Sequence, residues 1–497
     1  MSQLSVRPLG AATLAACAER VGVPGYERSA LSVGIVHFGV GGFHRAHQAM
    51  FLDRLMNAGQ AHDWAICGVG VMPADRQIKE ALEAQDRLYT LVEKHADGTY
   101  DARVIGSIVD FLFAPDDPEA VIERLAEEAT RIVSLTVTEG GYSIDDITGE
   151  FDAGTPGVAA DLEPGATPAT VFGLVCEGLR RRRARGTPPF TVVSCDNLPG
   201  NGTLAGKAFT SFARLLDPEL GEWMEQSVRF PNSMVDRITP ATTDDDREAV
   251  RDRFGIEDRW PVVCEPFVQW VLEDGFTLGR PPYEDAGVQV VSDVEPYELM
   301  KLRLLNVGHQ GLCYFGRLCD YELVHEAAQD PLIQRFVRGY MDTEATPTLP
   351  AVAGVDLGDY KDTLIERFSN PEIRDTIARL CVESSDRIPK WLLPVVRARL
   401  AEDGEIRHSA AIVASWARYA EGTDEHGEPI EVVDRQRDRV MTLAAEQYDQ
   451  PLAFISNREL FGDLADQPRF ADAFADWLES LHEHGARATL QAVVDQD

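Results

Sequence analysis

Along the first half of the chain, short apolar runs rich in β-branched residues alternate with stretches whose apolar positions recur at helical spacing. The runs fall at 33–38, 64–71, 132–138, 191–195 and 261–264, and helical patterns occupy 48–56 and about 167–185. Strand runs separated by helices predict a mostly parallel sheet with helices on its faces, the doubly wound α/β class. From about residue 297 the texture changes to long helical patterns with few β-branched runs. Helices are expected at 298–318, 331–341, 359–368, 373–381 and 410–421. The change places a domain boundary near residue 290, giving an N-terminal α/β domain at 1–290 and a mostly α-helical substrate and catalytic domain at 291–497. No internal repeat or low-complexity segment interrupts this plan.

The first strand run leads into Gly39-Val40-Gly41-Gly42-Phe43-His44, and the helical pattern at 48–56 follows. Strand, glycine turn and helix are the parts of a dinucleotide-binding unit: glycines let the backbone approach a pyrophosphate, and the helix start supplies free amides. His44 stands where the usual motif has its third glycine, so the position of the turn in the first strand–helix unit carries the reading more than the motif does. A Rossmann-like domain is therefore expected, with Gly39 to His44 as cofactor-binding residues. Behind the second strand, Asp75 is placed to hydrogen-bond a ribose diol, which favours NAD over NADP, while Arg76 beside it could meet a 2′-phosphate. His44, His47 and Asp53 invite a metal reading, but no compact ligand set accompanies them and no metal is expected.

Length and composition agree with two folded domains. A chain of 497 residues exceeds what one core usually holds, and its 44% hydrophobic and 26% charged content is that of an ordinary globular protein. Charge narrows the partners. A net charge of -35, spread along the chain, argues against nucleic acid or an anionic membrane surface. No run approaches a membrane span, and Glu19 and Arg20 break the only early apolar stretch, so neither a span nor a signal peptide is expected. The 8 cysteines lack CxxC pairs and read as buried free thiols in a reducing, cytoplasmic setting. Arg180, Arg181, Arg182, Arg183 and Arg185, just before Gly186, read as a solvated last helical turn with a glycine cap.

Basic residues are almost all arginine, so a lysine inside an apolar stretch stands out. Lys301-Leu302-Arg303-Leu304-Leu305-Asn306-Val307-Gly308-His309 combines an amine, an amide and an imidazole. On a continuous helix at about 100° per residue, Glu298, His309 and Asn306 lie roughly 60°, 80° and 140° from Lys301, on one side. Alcohol oxidation needs a base for the hydroxyl proton, donors for the developing alkoxide and a nicotinamide to take the hydride. A buried lysine whose pKa is lowered can serve as that base. The alternative is a core helix with a snorkelling Lys301 and a hydrogen-bonded His309.

This spacing, together with the block Phe230-Pro231-Asn232-Ser233-Met234-Val235-Asp236-Arg237-Ile238-Thr239-Pro240, resembles the polyol-specific long-chain dehydrogenase/reductase family. Further blocks agree in order: residues 37–49, 136–142, 194–199, 262–274 and 367–370. The resemblance spans essentially the whole chain and is strongest to the mannitol-oxidising members, through 263–270 and 340–394. It implies a metal-independent enzyme in which Lys301 is the general base, Asn197 and Asn306 hold the reacting oxygen, and His309 binds a substrate hydroxyl. Glu298 would pass the proton to solvent, Asp236 and Arg379 would position the polyol, and Glu139 would join the cofactor contacts. One local departure is Val307-Gly308, where relatives commonly have Gly-Ser.

The function so implied is NAD-linked interconversion of D-mannitol and D-fructose. Within the family, a keto-uronate (fructuronate) reductase is the alternative if Arg379, Arg387 or Lys390 supplies a cation for a carboxylate. Arabinitol and sorbitol remain open as substrates, since sequence does not give pocket shape. A nucleotide-binding sensor without catalysis is the reading from another class, and retention of Lys301, Asn306, His309, Asn197 and Asp236 argues against it. A small polyol or ketose is then the partner, and a single chain suffices for activity, with the oligomeric state left open by the sequence.

Overall fold

A computed structural model of the protein describes residues 5–145 and 149–496. The chain divides into two compact units, Met1–Glu295 and Pro296–Asp497. The first is built on a 5-stranded sheet whose strands are all parallel. In chain order these are β1 (Val33–Phe38), β2 (Ala65–Gly70), β3 (Ile108–Phe113), β4 (Ile132–Leu135) and β5 (Thr191–Ser194). Their spatial order is β3-β2-β1-β4-β5. The order reverses between β1 and β4, where a doubly wound sheet opens its ligand crevice.

Both faces of the sheet are covered, which is why the strand runs are mainly apolar. Val36, Phe38, Cys67, Val69, Val133, Leu135 and Val192 enter one core, shared with the helices Pro118–Ala126, Val171–Arg185 and Asn201–Leu216. Ile35, Ile66, Ile132 and Val193 enter another, shared with the helix Gln48–Asn57. Helix Val171–Arg185 starts on the Thr170 hydroxyl and stops at Gly186 (φ 69°), as the capping residues predict. Its arginines are more engaged than a solvated turn requires: Arg181 pairs with Glu119, Glu123 and Glu177. Arg182 is buried and donates to the carbonyls of Pro188, Leu125, Glu127 and Thr130.

Several expectations need correction. Strand β3 was not anticipated because Asp110 interrupts its apolar pattern; an edge strand tolerates this, and Asp110 pairs with Arg124 at 3.0 Å. The run 261–264 forms the strand Val262–Cys264, but it pairs with Tyr89–Lys94 in a separate 3-stranded sheet. The run 132–138 ends as a strand at Leu135, because the amides of Val137 and Thr138 turn to the Asp196 carboxylate. Another small sheet pairs Gln269–Glu273 with Ser233–Asp236 and Gln289–Val291.

The second unit is helical. Glu295–Met300 continues as a π-helical stretch, Lys301–Asn306, and then as the α-helix Val307–Leu318. Pro331–Tyr340 likewise runs into a π stretch, Met341–Ala345. Arg407–Tyr419 is buried almost throughout and packs on Val307–Leu318 and on the long C-terminal helix Pro468–Val494, which kinks at Gly485 (φ 81°). The buried Glu344 carboxylate accepts the His408 and Ser409 amides at 2.6 and 2.9 Å, so a negative charge faces that helix start. The helix expected at 373–381 shrinks to Ile377–Leu380. Asn370 turns the chain by accepting the Glu372 amide, and Thr376 bridges Leu323 before capping the short helix.

All cysteines are unpaired and all but Cys319 are buried. Burial pushes the Cys264 thiol up to about 12, which leaves it protonated and inert. Among the described residues no helix is long and apolar enough to cross a membrane.

Candidate active site

In the first unit the glycine turn lies at the end of β1. Gly39 has φ 90°, and a Cβ there would stand 2.1 Å from the Thr136 carbonyl oxygen, so only glycine fits where the loops after β1 and β4 meet. Thr136 Oγ1 donates to Gly39 O at 2.7 Å. That hydroxyl must therefore accept from His37, whose Nε2 is 3.0 Å away, while His37 Nδ1 accepts from the Ser134 hydroxyl at 2.8 Å. Burial drives the His37 pKa down to about 3, so the ring is neutral.

The helix expected at 48–56 is present as Gln48–Asn57, and a further short helix, Gly42–Ala46, precedes it and stops at His47. The His44 ring is fully buried and stacks on His37 with centroids 3.4 Å apart. Only its backbone is then available to a cofactor. The metal reading finds other duties for its members. His47 bonds Gln269 O, and Asp53 takes the Tyr26 hydroxyl, the Asn57 amide and the Gly106 N–H.

Asp75 begins the helix Asp75–Glu83, and its Oδ2 accepts the Val71 and Met72 amides at 2.9 Å each. The carboxylate is thereby fixed just beyond β2, with Oδ1 making no hydrogen bond among the described residues. Arg76 pairs with Asp116 at 2.6 Å and lies over the Phe113 ring, so the cation that might have met a 2′-phosphate is already engaged. Glu139 opens a 3-10 turn, Glu139–Tyr142, and its side chain lies outside the described residues. Glycine cradle, buried supporting imidazoles and a fixed carboxylate fit a dinucleotide.

Asn197 follows β5, partly buried, and Asp236 is the buried last residue of Ser233–Asp236. Asn201 ties the two segments together: its Nδ2 donates to Asp196 O (3.0 Å) and Ser233 O (2.7 Å), and its Oδ1 accepts the Ser233 amide (2.9 Å). Arg237 is no partner of Asp236 in a local ion pair. It donates to Glu93, to Glu265 O and to Ala46 O, the last carbonyl of the helix after the glycine turn. Asn201 is not singled out by the sequence, and Asp196, His37 and Arg237 enter only inside the blocks 194–199, 37–49 and 230–240, without a role in the site. Their mark there is a polar residue inside an apolar run or beside a chosen one, a signal too common to select them.

In the second unit Glu298, Lys301, Asn306 and His309 are all buried, on one continuous helical run. The run is not one α-helix. Val307 N–H donates to Leu302 O, five residues back, so each residue in this turn advances less than an α-helical step. Asn306 is therefore brought closer to the Lys301 side than uniform α-helical geometry predicts. Among the described residues its buried Oδ1 has no hydrogen-bond partner, an arrangement that is costly unless a ligand meets it. The His309 ring packs on Phe368 with centroids 4.2 Å apart. Gly308 stays helical and serves packing: a Cβ would come within 2.8 Å of Met341 Cε and 3.4 Å of Phe368.

Arg379 is exposed and held by Asp375, with Nε to Oδ1 at 2.6 Å; that bond raises its pKa further. Arg387 donates to Leu380 O, and Lys390 pairs with Asp386 at 2.7 Å.

Residues 33–285 match the family described as the mannitol dehydrogenase Rossmann domain, and residues 293–482 match the mannitol dehydrogenase C-terminal domain. The chain belongs to the mannitol dehydrogenase family. It is 45% identical over 482 residues to a mannitol 2-dehydrogenase of Aspergillus fumigatus, covering 96% of each chain. To a mannitol dehydrogenase of Saccharomyces cerevisiae it is 44% identical over 491 residues, 98% of each. Among solved structures, the mannitol 2-dehydrogenase of Pseudomonas fluorescens, in a ternary complex with NAD and D-mannitol, superposes with a TM-score of 0.91 at 45% identity, covering 99% of this chain and 100% of that one. A substrate-free D-sorbitol dehydrogenase superposes with a TM-score of 0.90 at 38% identity, covering 97% and 100%. The two family models together span residues 33–285 and 293–482, so the resemblance extends over both units.

Proposed function

We propose that the protein is an NAD-dependent, metal-independent mannitol 2-dehydrogenase that interconverts D-mannitol and D-fructose. The observation that carries this reading is the amine, amide, imidazole and carboxylate of Lys301, Asn306, His309 and Glu298, all buried on one helical run, in a chain of that family. In oxidation, Lys301 Nζ as the neutral amine takes the proton of the C2 hydroxyl, and the C2–H bond leaves with its electron pair as C2=O forms. NAD, when bound, accepts that hydride. Asn197 and Asn306 donate to the oxygen as its charge develops. The unpartnered Asn306 Oδ1 can accept a neighbouring substrate hydroxyl while Nδ2 donates. His309 binds another hydroxyl, Asp236 and Arg379 orient the chain, and Glu298 relays the proton from Lys301 to solvent.

At the cofactor end, backbone amides of residues 39–44 receive the pyrophosphate and Asp75 the ribose diol, and the engagement of Arg76 by Asp116 supports NAD over NADP. A keto-uronate needs a cation for its carboxylate. Arg379 and Lys390 are each neutralised by a carboxylate, from Asp375 and Asp386, which favours a neutral polyol, while Arg379 keeps a further N–H for a substrate hydroxyl. D-Sorbitol is the second reading, on the likeness to the sorbitol enzyme. A reducing, cytoplasmic setting suits the unpaired thiols, and a single chain suffices for activity.

The purified protein should be assayed with mannitol, sorbitol, arabinitol and fructuronate, each with both oxidised or both reduced nicotinamide cofactors, following absorbance at 340 nm. Turnover with mannitol and NAD, yielding fructose, is expected to exceed the rest. Preference for fructuronate, or no turnover with any pair, would overturn the proposal.

A further inference from the structure

Asp196 is buried, immediately before Asn197, and nothing in the reaction uses its carboxylate directly. Yet it is the most heavily committed acid near the end of β5. Its Oδ1 accepts the Thr138 amide at 2.8 Å; its Oδ2 accepts the Val137 amide at 3.1 Å and the Tyr142 hydroxyl at 2.6 Å. Tyr142 is itself buried and receives the Ser194 hydroxyl at 2.7 Å, and burial followed by the Asp196 charge keeps its phenol protonated, hence a donor. The loop so held is not relaxed. Thr138 has φ 67° and ψ 169°, a region that β-branched residues avoid and that persists only when surrounding bonds over-determine it. On its other side Asp196 offers its carbonyl to Leu198 N–H (2.9 Å) and to Asn201 Nδ2 (3.0 Å).

These bonds form a chain with a direction. Gly39 O is held by Thr136, the next two residues are held by Asp196, and Asp196 shares a peptide bond with Asn197. We propose that Asp196 is a positioning residue: its carboxylate locks the loop after β4 to the residue preceding Asn197, and so fixes the Asn197 amide relative to the glycine turn. The inference rests on the role given above to Asn197. Hydride transfer is sensitive to such placement, since a displacement of about 1 Å can lower a rate by roughly 10²-fold. Aspartate is needed because a carboxylate has acceptor lone pairs for every one of these donors. An amide has a single acceptor oxygen and would turn its NH2 toward a donor.

The test is a double-mutant cycle on the whole protein with Asp196→Asn, Asn197→Ala and the pair, reading kcat with mannitol, the NADH Kd by fluorescence, the substrate deuterium isotope effect and Tm. Asp196→Asn is expected to lower kcat about 10²-fold with the NADH Kd within about threefold, and to raise the isotope effect as hydride transfer becomes limiting. In the Asn197→Ala background it should cost less than about threefold, because the amide it positions is gone. Multiplicative losses in the pair, or a Kd that rises as steeply as kcat falls, would overturn the inference. If Asp196→Asn does not fold, Tyr142→Phe decides: it removes one donor while leaving the carboxylate, and kcat should fall several-fold in a protein that stays folded with Tm lowered by only a few degrees, whereas unchanged kcat is the contrary result. Full turnover by Asn197→Ala would instead remove the role of Asn197, and this inference with it.

Discussion

The glycine turn at 39–44 and the helical stretch Lys301–Asn306 are short segments on which two halves of the proposed chemistry depend, and they are constrained differently. At the turn the constraint is backbone against backbone: Gly39 touches the Thr136 carbonyl, and the imidazole of His37 locks the hydroxyl that joins them. At Lys301–Asn306 the backbone is a helix with a wider turn, and the constraint falls on which functional groups that turn gathers. The first region should fail when any atom is added. The second should tolerate changes in packing and fail when one group is removed.

The sharpest way to break that contrast is Lys301→Ala, which should lower kcat by about 10³-fold while the NADH Kd stays within about twofold, by steady-state kinetics and fluorescence titration. Loss of cofactor binding would make Lys301 a structural residue. Gly39→Ala should do the reverse. A Cβ 2.1 Å from a carbonyl oxygen at φ 90° has no room, and the strained turn should weaken NADH binding about 10- to 100-fold, with a smaller effect on kcat at saturating cofactor. An affinity equal to the parent's would mean that the turn does not hold the cofactor.

His37 sharpens the comparison through pH. Its pKa is held at about 3 against an ordinary 6.5. Below pH 6.5 the unfolded chain binds a proton that the folded chain refuses, so this group's contribution is complete above that pH and is lost as pH falls toward about 3. The slope is at most about 1.4 kcal/mol per pH unit. Thermal or denaturant unfolding between pH 7 and 4 should show a shallower fall for His37→Gln than for the parent; equal slopes would contradict the buried neutral ring. The smallest effect is expected at Gly308→Ala. The nearest atom to the new methyl is the mobile end of Met341, so Tm should drop by only a few degrees, about 1 kcal/mol, with kcat within about threefold.

The same contrast sets what could be read from the sequence. Strands β1, β2, β4 and β5 are mainly apolar because both faces are buried, and that pattern is visible without coordinates. Strand β3 is an edge that accommodates Asp110; of the small sheets, Val262–Cys264 shows as an apolar run, whereas Tyr89–Lys94 and Tyr100–Ile105, 6 residues each, mix Glu93, Lys94, Asp101 and Arg103 among their apolar positions. The glycine turn announces itself through residue type, since a steric demand selects glycine. Lys301, Asn306 and His309 are legible as types, but their common side assumes a uniform helix, and nothing in the mixed apolar and polar composition of Lys301–Asn306 signals the wider turn. Asp196 falls inside the block 194–199 without a role of its own, because a carboxylate that binds backbone amides answers to no periodicity.

The central claim is hydride transfer from C2 of a polyol to the nicotinamide, and it is tested most directly with D-mannitol deuterated at C2 and C5, which are equivalent by the symmetry of the molecule. Incubated with the protein and NAD, it should yield reduced cofactor carrying one deuterium, together with fructose that retains the other, and turnover should show a primary isotope effect. Unlabelled reduced cofactor, with an aldose as product, would place the oxidation at a terminal carbon and contradict the account.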